Sequence, residues 1–239
     1  MIKFFRKIRQ RLLNEGKASK YLVYAIGEII LVVIGILIAL QVNNWNEIRK
    51  SRSEETKLLK EMKAALVSDL DDIIANIDEH EEAYKSCEII LAAFSEGLPY
   101  HDSLDFHFGS VLNTTRFGHT SAPYETLKTK GPDLVENDSL RLLLSEYFDR
   151  WVGYQFDIQR SSLQGFELAK ERQFELFEGL HPHAGMKPVD YELLRENKYY
   201  RSWLEYTRIS RGWEAKNFRI LKKKNEHLQA LIDSVVFKN

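Results

Sequence analysis

The chain has 239 residues, of which 44% are hydrophobic and 12% aromatic, with only five prolines. This composition excludes a disordered tail or a low-complexity linker, and it suits one domain plus an anchor. The net charge of −1 conceals an asymmetry, because residues 1–20 carry seven Lys or Arg against one Glu. A basic tip on a mildly acidic body favours membrane lipids as partners at that end and argues against nucleic acid as a partner.

The first predicted element is the basic segment 1–20, which begins MIKFFRKIRQRLL. Its apolar residues recur every three or four positions with cations between them, which predicts an amphipathic helix in the cytoplasmic headgroup layer. An ordinary basic flank without a helix is the alternative.

Residues 21–43 predict a transmembrane helix, since an apolar run of about 20 residues crosses the hydrocarbon core. Tyr21 and Tyr24 mark one membrane interface and Trp45 the other. A cleavable signal peptide fits less well, because no small-residue cleavage site comes after the run. The cations precede the span, so we expect a cytoplasmic N-terminus at the bacterial inner (cytoplasmic) membrane and a periplasmic domain over 44–239.

Glu28 is a carboxylate inside this apolar run. Such groups normally face protein rather than lipid, and small residues that recur every four positions permit close helix contact. We therefore predict a contact with another span, most simply a second copy of the chain, through Gly27, Glu28, Leu31, Gly35 and Ala39. The alternative is a protonated, lipid-facing Glu28 in a span that merely contains glycine.

Three stretches carry a resemblance: MIKFFRKIRQ, GEIILVVIGILIALQVNNWNE and the weaker YETLKTKGPDLVENDSLR. The chain resembles the domain of unknown function 6090 family of single-span membrane proteins from Bacteroidetes-type bacteria. The resemblance implies an inner-membrane anchor with a helical extracytoplasmic domain. It implies no activity, ligand or catalytic residue.

The rest of the chain has helical periodicity. A first long helix carries an apolar stripe from Leu59 to Phe94 and ends at Gly97 and Pro99. A second, capped by Asn137 or Asp138, keeps heptad spacing through Leu140, Leu144, Tyr147, Trp151, Tyr154 and Ile158, and fades near Gly179. A third runs through Trp203, Tyr206, Trp213, Ile220, Leu228, Leu231 and Val235.

Short helices are predicted at 103–113 and 122–130, and a loop at 179–190. The predicted fold is therefore all-α: a single N-terminal transmembrane helix, then an elongated up-down-up helical bundle with short connecting helices, partly coiled-coil in its spacing. In that topology the first and third helices are parallel. The basic cluster Lys216–Lys224 should then lie alongside the acidic run Asp69–Glu82.

We find no sequence motif for an enzyme, and we predict no catalytic residue, no metal site and no cofactor. The pairs His101/His107 and His181/His183 lack the spacing of metal ligands. His80 and Cys87 lie on the apolar stripe of the first long helix, which favours a satisfied core histidine and a buried inert thiol. The acidic runs on that helix are interpreted as solvated surface.

Two further sets of residues leave a role open. The aromatic residues of the second and third helices either fill the core, which we favour, or line a pocket: Trp151, Tyr154, Trp203, Tyr206 and Trp213. The segment YETLKTKG and its motif are our preferred partner or ligand contact, through Tyr124, Glu125, Lys128 and Arg141. The sequence thus indicates a membrane-anchored interaction or sensory module, or alternatively an accessory subunit whose span contacts a partner at Glu28.

Overall fold

The computed structural model describes the backbone of residues 18–237 and the side chains of residues 22–237. Over that range the chain is all-helical, with no strand. The predicted amphipathic segment lies outside the described residues except for 18–20, and so does the side chain of Tyr21. Seven α-helices are described: α1 Ala18–Glu96, α2 Ser103–Ser110, α3 Ala122–Lys130, α4 Asp138–Ser145, α5 Gly153–Leu176, α6 Tyr191–Glu196 and α7 Lys198–Val236.

The chain divides into two compact units, Met1–Glu54 and Glu55–Asn239. In the first unit, almost every described side chain is exposed, including the large apolar ones from Leu22 to Val42. Beyond them, Arg49 lies over the ring of Trp45. By length and composition α1 is the one candidate membrane span among the described residues.

In the second unit, residues 97–137 run back along α1 from its end toward its middle. The contacts pair later residues of this returning segment with earlier residues of α1: His107 with Ser86, Asn113 with Glu79, Gly118 with Asp72, Thr120 with Asp69, and Glu136 with Glu55. The acidic runs of α1 are therefore not merely solvated surface. Asp69 is 1% exposed and accepts hydrogen bonds from His119 Nδ1 and the backbone N–H of Thr120.

The returning segment sets the direction of the later helices. Contacts between α1 and α7 pair Lys63 with Asp233, Leu66 with Asn225, Glu81 with Arg219 and Ser95 with Arg201, so these helices are antiparallel. Glu146, directly after α4, contacts Lys224, and Ser162 of α5 contacts Glu214, so α5 and the segment before it are antiparallel to α7 too. Helices α1 and α5 are then parallel, and the predicted up-down-up order is wrong because residues 97–137 cross back before the second long helix begins.

The basic cluster nevertheless lies alongside the acidic run, as predicted, because the antiparallel contacts of α1 and α7 pair Leu66 with Asn225 and Tyr84 with Gly212. Only Arg219 of the basic cluster is described in contact with the acidic run, through Glu81. Lys224 binds Glu146 at 3.0 Å instead, and Lys216 lies over the ring of Trp213.

Most helix ends agree with the predicted signals. Glu96 is followed by Gly97 at φ 67°, a left-handed conformation that glycine adopts without strain. The side chain of Asn137 accepts the N–H of Leu140 and caps α4. Helix α3 has the predicted bounds 122–130. Helix α6 was not predicted.

A π-helical segment, Glu146–Val152, joins α4 to α5 and changes which face is buried. Leu140, Leu144 and Tyr147 are buried as the heptad predicts. Beyond the π segment Tyr154 is 43% exposed, whereas Gln155 and Gln159 are buried. A π turn contains an extra residue, so the inward face moves along the sequence and the heptad prediction is wrong from Tyr154 on.

The loop after α5 packs directly on α2. Met186 N–H donates to Asp105 O at 2.9 Å. A Cβ on Gly109 would lie 1.9 Å from Ala184 O, so only glycine fits there without a shift of the backbone.

Candidate functional site

The core of the bundle consists of two apolar clusters separated along the sequence by polar residues. One cluster contains the buried apolar residues from Leu59 to Ile77, from Leu140 to Val152 and from Phe218 to Ile232, together with other residues. The other contains Cys87 to Phe94, Ala169 to Phe177 and Tyr200 to Leu204, together with other residues. On each long helix the interval between the clusters carries buried or half-buried polar groups: His80 on α1, Gln159 and Ser162 on α5, and Thr207, Arg211 and Glu214 on α7. We call these six residues the polar layer.

His80 is the centre of the polar layer and is 1% exposed. Arg211 Nη1 lies 3.2 Å from His80 Nδ1. Arginine only donates, so Nδ1 accepts and Nε2 carries the hydrogen. Nε2 lies 3.3 Å from Glu214 Oε2 and 3.1 Å from Thr115 Oγ1. Burial, aided by Arg211, lowers the pKa of His80 to about 3, so the ring is neutral and its contact with Glu214 is a hydrogen bond rather than an ion pair.

Glu214 and Arg211 are buried charges one helical turn apart on α7. The Glu214 carboxylate accepts from Ser162 Oγ at 2.7 Å and from Ser210 Oγ at 3.3 Å. Burial raises the pKa of Glu214, while Arg211 and the two hydroxyls oppose that rise. Arg211 also donates to the carbonyl of Asn113 on the returning segment. Each charge is thus held by polar contacts from more than one element.

A cavity of about 40 Å³ lies at the polar layer. Its polar lining comes from the six residues of the layer together with Thr114, Thr115 and Ser210, and its apolar lining from Leu163, Phe166 and Trp203. One water needs roughly 10–15 Å³ measured in this way, so the cavity has room for about three water molecules or one small polar ligand. Neither hydropathy nor motif singled out Arg211 and Glu214. The signal that could have found them is a charged pair three residues apart on the inward face of the third helix.

Residues 28–93 match the model of a family of unknown function (DUF6090). This confirms the suspected resemblance over that range. No curated protein and no solved structure matches the chain.

The DUF6090 match covers part of the polar layer. It contains His80 and the acids of α1 that hold the returning segment, whereas Arg211 and Glu214 lie outside it. It also contains four of the five residues of the predicted span contact, Glu28, Leu31, Gly35 and Ala39. A Cβ on Gly27 or Gly35 would meet nothing within 4 Å, so the described structure leaves this face uncovered at both glycines.

The predicted partner contact at YETLKTKG lies outside the DUF6090 match, and its residues differ in burial and in the partners they contact. Tyr124 is buried, stacks on Phe148 at 4.5 Å and donates to Asp149. Lys128 lies over the Tyr124 ring and 2.7 Å from Glu125, and both charges are exposed. Arg141 has other partners and donates to the carbonyl of Val135 and to Asp138.

The predicted aromatic set neither fills the core nor lines one pocket. Trp203 is buried at the cavity and Trp151 is half-buried, but three members are largely exposed: Tyr154, Tyr206 and Trp213. The π segment accounts for the exposure of Tyr154. The structure thus brings one member of the set, Trp203, to the polar cavity.

The remaining candidates occupy separate places. Cys87 is fully buried, and burial raises the pKa of its thiol to about 12, so it stays protonated as an inert core residue. His101 is exposed, and His107 Nδ1 lies 3.0 Å from Ser86 Oγ. Within residues 18–237 no group of three or more His, Cys, Asp or Glu is placed to hold a metal ion.

Proposed function

We propose that the protein is a single-pass, membrane-anchored sensory or interaction module whose helical bundle binds a small ligand or a partner. The observation that carries this proposal is the polar layer, with its cavity between the two apolar clusters of the core. Burying Arg211 and Glu214 costs desolvation free energy that well-packed apolar residues would not. A function at the cavity explains why the core contains them. The proposal assigns no catalytic activity to the chain.

The membrane part of the proposal rests on composition. The apolar segment of α1 is long enough to cross a bilayer, and its side chains are exposed rather than packed in a core. The cations that precede it favour a cytoplasmic N-terminus, which puts the bundle in the periplasm.

A pair of reporters fused after Asn239 tests the orientation. Alkaline phosphatase, which is active only outside the cytoplasm, should be active there, and a fluorescent protein that matures only in the cytoplasm should stay dark. The same fusions after Lys20, before the span, are the matched control and should give the opposite pattern. A bright, phosphatase-negative fusion at Asn239 would refute the periplasmic bundle.

The accessory-subunit hypothesis is kept because the candidate span leaves an uncovered face at Gly27 and Gly35. If this face contacts a second copy or another span, Gly35→Leu should weaken association in a membrane two-hybrid assay. Glu28→Leu should weaken it more than Glu28→Gln, which keeps hydrogen bonding. Ile36→Leu, at an exposed position next to Gly35, is the control. Association that is unchanged in every variant would exclude this contact.

Replacement of Glu28 also separates the two functions. A sensor whose ligand binds in the bundle should keep ligand binding with Glu28→Leu, whereas a subunit held through its span should lose its partner. Affinity capture of the tagged parent and of Glu28→Leu from membranes distinguishes them, since only the subunit predicts a partner that disappears from the variant.

A further inference from the structure

Arg211 has hydrogen-bonding capacity that its protein contacts do not use. Its side chain is 8% exposed and lines the cavity. A guanidinium has five N–H groups in a planar fork, and the described hydrogen bonds use Nη1 toward His80 and Nη2 toward Asn113. The remaining N–H groups suit a carboxylate, which matches the fork in shape and charge.

Glu214 limits which carboxylate the cavity accepts. Its own side chain lines the same cavity and accepts hydrogen bonds from Ser162, Ser210 and His80, and Arg211 and the two serine hydroxyls oppose the rise that burial causes in its pKa. A simple anion would be attracted by Arg211 and repelled by Glu214, and a simple cation would face the reverse. A ligand that carries both charges pairs with both side chains and brings no net charge into a buried site.

The size and the apolar side of the cavity narrow the class further. The cavity volume of about 40 Å³ admits only a few heavy atoms. Leu163, Phe166 and Trp203 supply the apolar part of the lining, and Thr114 at the lining is exposed. The site thus offers a cation, an anion and a small apolar surface within one small volume.

We propose that the polar layer binds a small zwitterionic α-amino acid, with the carboxylate on Arg211, the ammonium on Glu214 and a small side chain against Leu163 and Phe166. This assignment rests on the proposed sensory function, since it names the ligand class that the bundle senses. Thr207, which lines the cavity and makes no side-chain hydrogen bond among the described contacts, supplies a hydroxyl to the ligand.

Calorimetric titration of the full chain in nanodiscs tests the assignment with three probes: glycine, acetate and methylammonium. Glycine carries both charges, and each of the other probes is a smaller molecule that carries one of them. We expect saturable glycine binding and at least tenfold weaker binding of acetate and methylammonium. Acetate binding within threefold of glycine would overturn the zwitterion, and no binding of any probe would leave the cavity as a water site and overturn the proposal.

Two variants locate the binding. Thr207→Leu fills the cavity and should weaken glycine binding at least tenfold, while Thr129→Leu makes the same change at an exposed position on α3 and should leave it unchanged. Leu163→Trp replaces a half-exposed residue of the lining with a larger one, so it narrows the cavity and should also weaken glycine binding at least tenfold. This second variant keeps the test valid if circular dichroism shows that Thr207→Leu is unfolded. Glycine binding that survives in a folded variant refutes the site.

The reporter fusions and the glycine titration can fail independently of each other. Glycine binding together with a cytoplasmic bundle would refute the proposed periplasmic function and leave the site intact. A periplasmic bundle without glycine binding would do the reverse.

Discussion

Replacement of Arg211 by methionine tests whether the polar layer is one electrostatic unit. Methionine keeps most of the length of the side chain and removes the charge. His80 Nδ1 and the Asn113 carbonyl then lose their donor, and Glu214, whose side chain is 3% exposed, loses the buried cation that opposes the rise in its pKa. The change leaves the apolar clusters on either side untouched.

The expected loss depends on what remains buried. Removing one partner of a buried charge pair costs about 3–5 kcal/mol, chiefly because the other charge stays uncompensated. The orphaned His80 and Asn113 acceptors belong to the same network, so their penalties overlap with that figure rather than add to it. We expect Arg211→Met to lower the free energy of unfolding by about 4 kcal/mol.

Arg160→Met is the matched control. Arg160 lies 3.6 Å from Asp157, as an ion pair on the surface of α5 with both side chains 73% exposed. Such pairs contribute about 0–1 kcal/mol, so the same substitution there should be nearly neutral.

Adding Glu214→Gln to Arg211→Met closes a double-mutant cycle. The second change removes the stranded charge and keeps an acceptor for Ser162, so the double variant should be more stable than the sum of the two single losses by at least about 1 kcal/mol. Urea unfolding followed by circular dichroism measures all four proteins. Additive losses, or a loss in Arg211→Met equal to that in Arg160→Met, would refute the electrostatic unit.

Three other predictions concern the bundle. The pKa of His80 is lowered from 6.5 to about 3, so between these pH values the unfolded chain binds a proton at His80 and the native chain does not. Lowering the pH from 7 to 5 should therefore reduce the free energy of unfolding by about 2 kcal/mol. Urea unfolding at the two pH values measures this loss, which should be absent in His80→Gln. Gly109→Ala should lower the stability in thermal unfolding by at least about 2 kcal/mol, because the new Cβ meets Ala184 O. Gly153→Ala is the control: its Cβ would have no atom within 4 Å, so this change should raise the stability by up to about 1 kcal/mol. Equal effects of the two changes would contradict the described packing at Gly109. A truncated chain that starts at Arg49 should be soluble and helical by circular dichroism, and a strand-rich spectrum would exclude the bundle.

Helix positions were predictable from the sequence because their signals are local. The apolar stripe from Leu59 to Phe94, the Asn137 cap and Gly131 after α3 each depend on residues a few positions apart. Their direction in the bundle was not predictable in that way. It depends on residues 97–137, which pair with α1 through side chains such as Asp69 and Asp72 that look like ordinary surface acids in the sequence.

The candidate site was predictable only at His80, whose place on an apolar stripe is visible in the sequence. Arg211 and Glu214 come from a helix about 130 residues away, and arginine and glutamate are common on exposed helix faces. The π segment adds a second obstacle, since it moves Gln159 and Ser162 inward where the heptad spacing would place other residues. A one-residue change of register cannot be read from apolar periodicity alone.

The antiparallel pairing of α1 with α7 also has a consequence for synthesis. Lys63 pairs with Asp233, which comes 170 positions later in the chain. Leu59 and Met62 lie in the same apolar cluster as Leu228 and Ile232. At about 5–20 residues per second, a ribosome needs roughly 10–30 s to supply that second half. During this interval the apolar stripe of α1 has been synthesised, but α7, which packs against it in the folded bundle, has not. The growing chain therefore depends on chaperones, or on early docking of residues 97–137, to avoid aggregation.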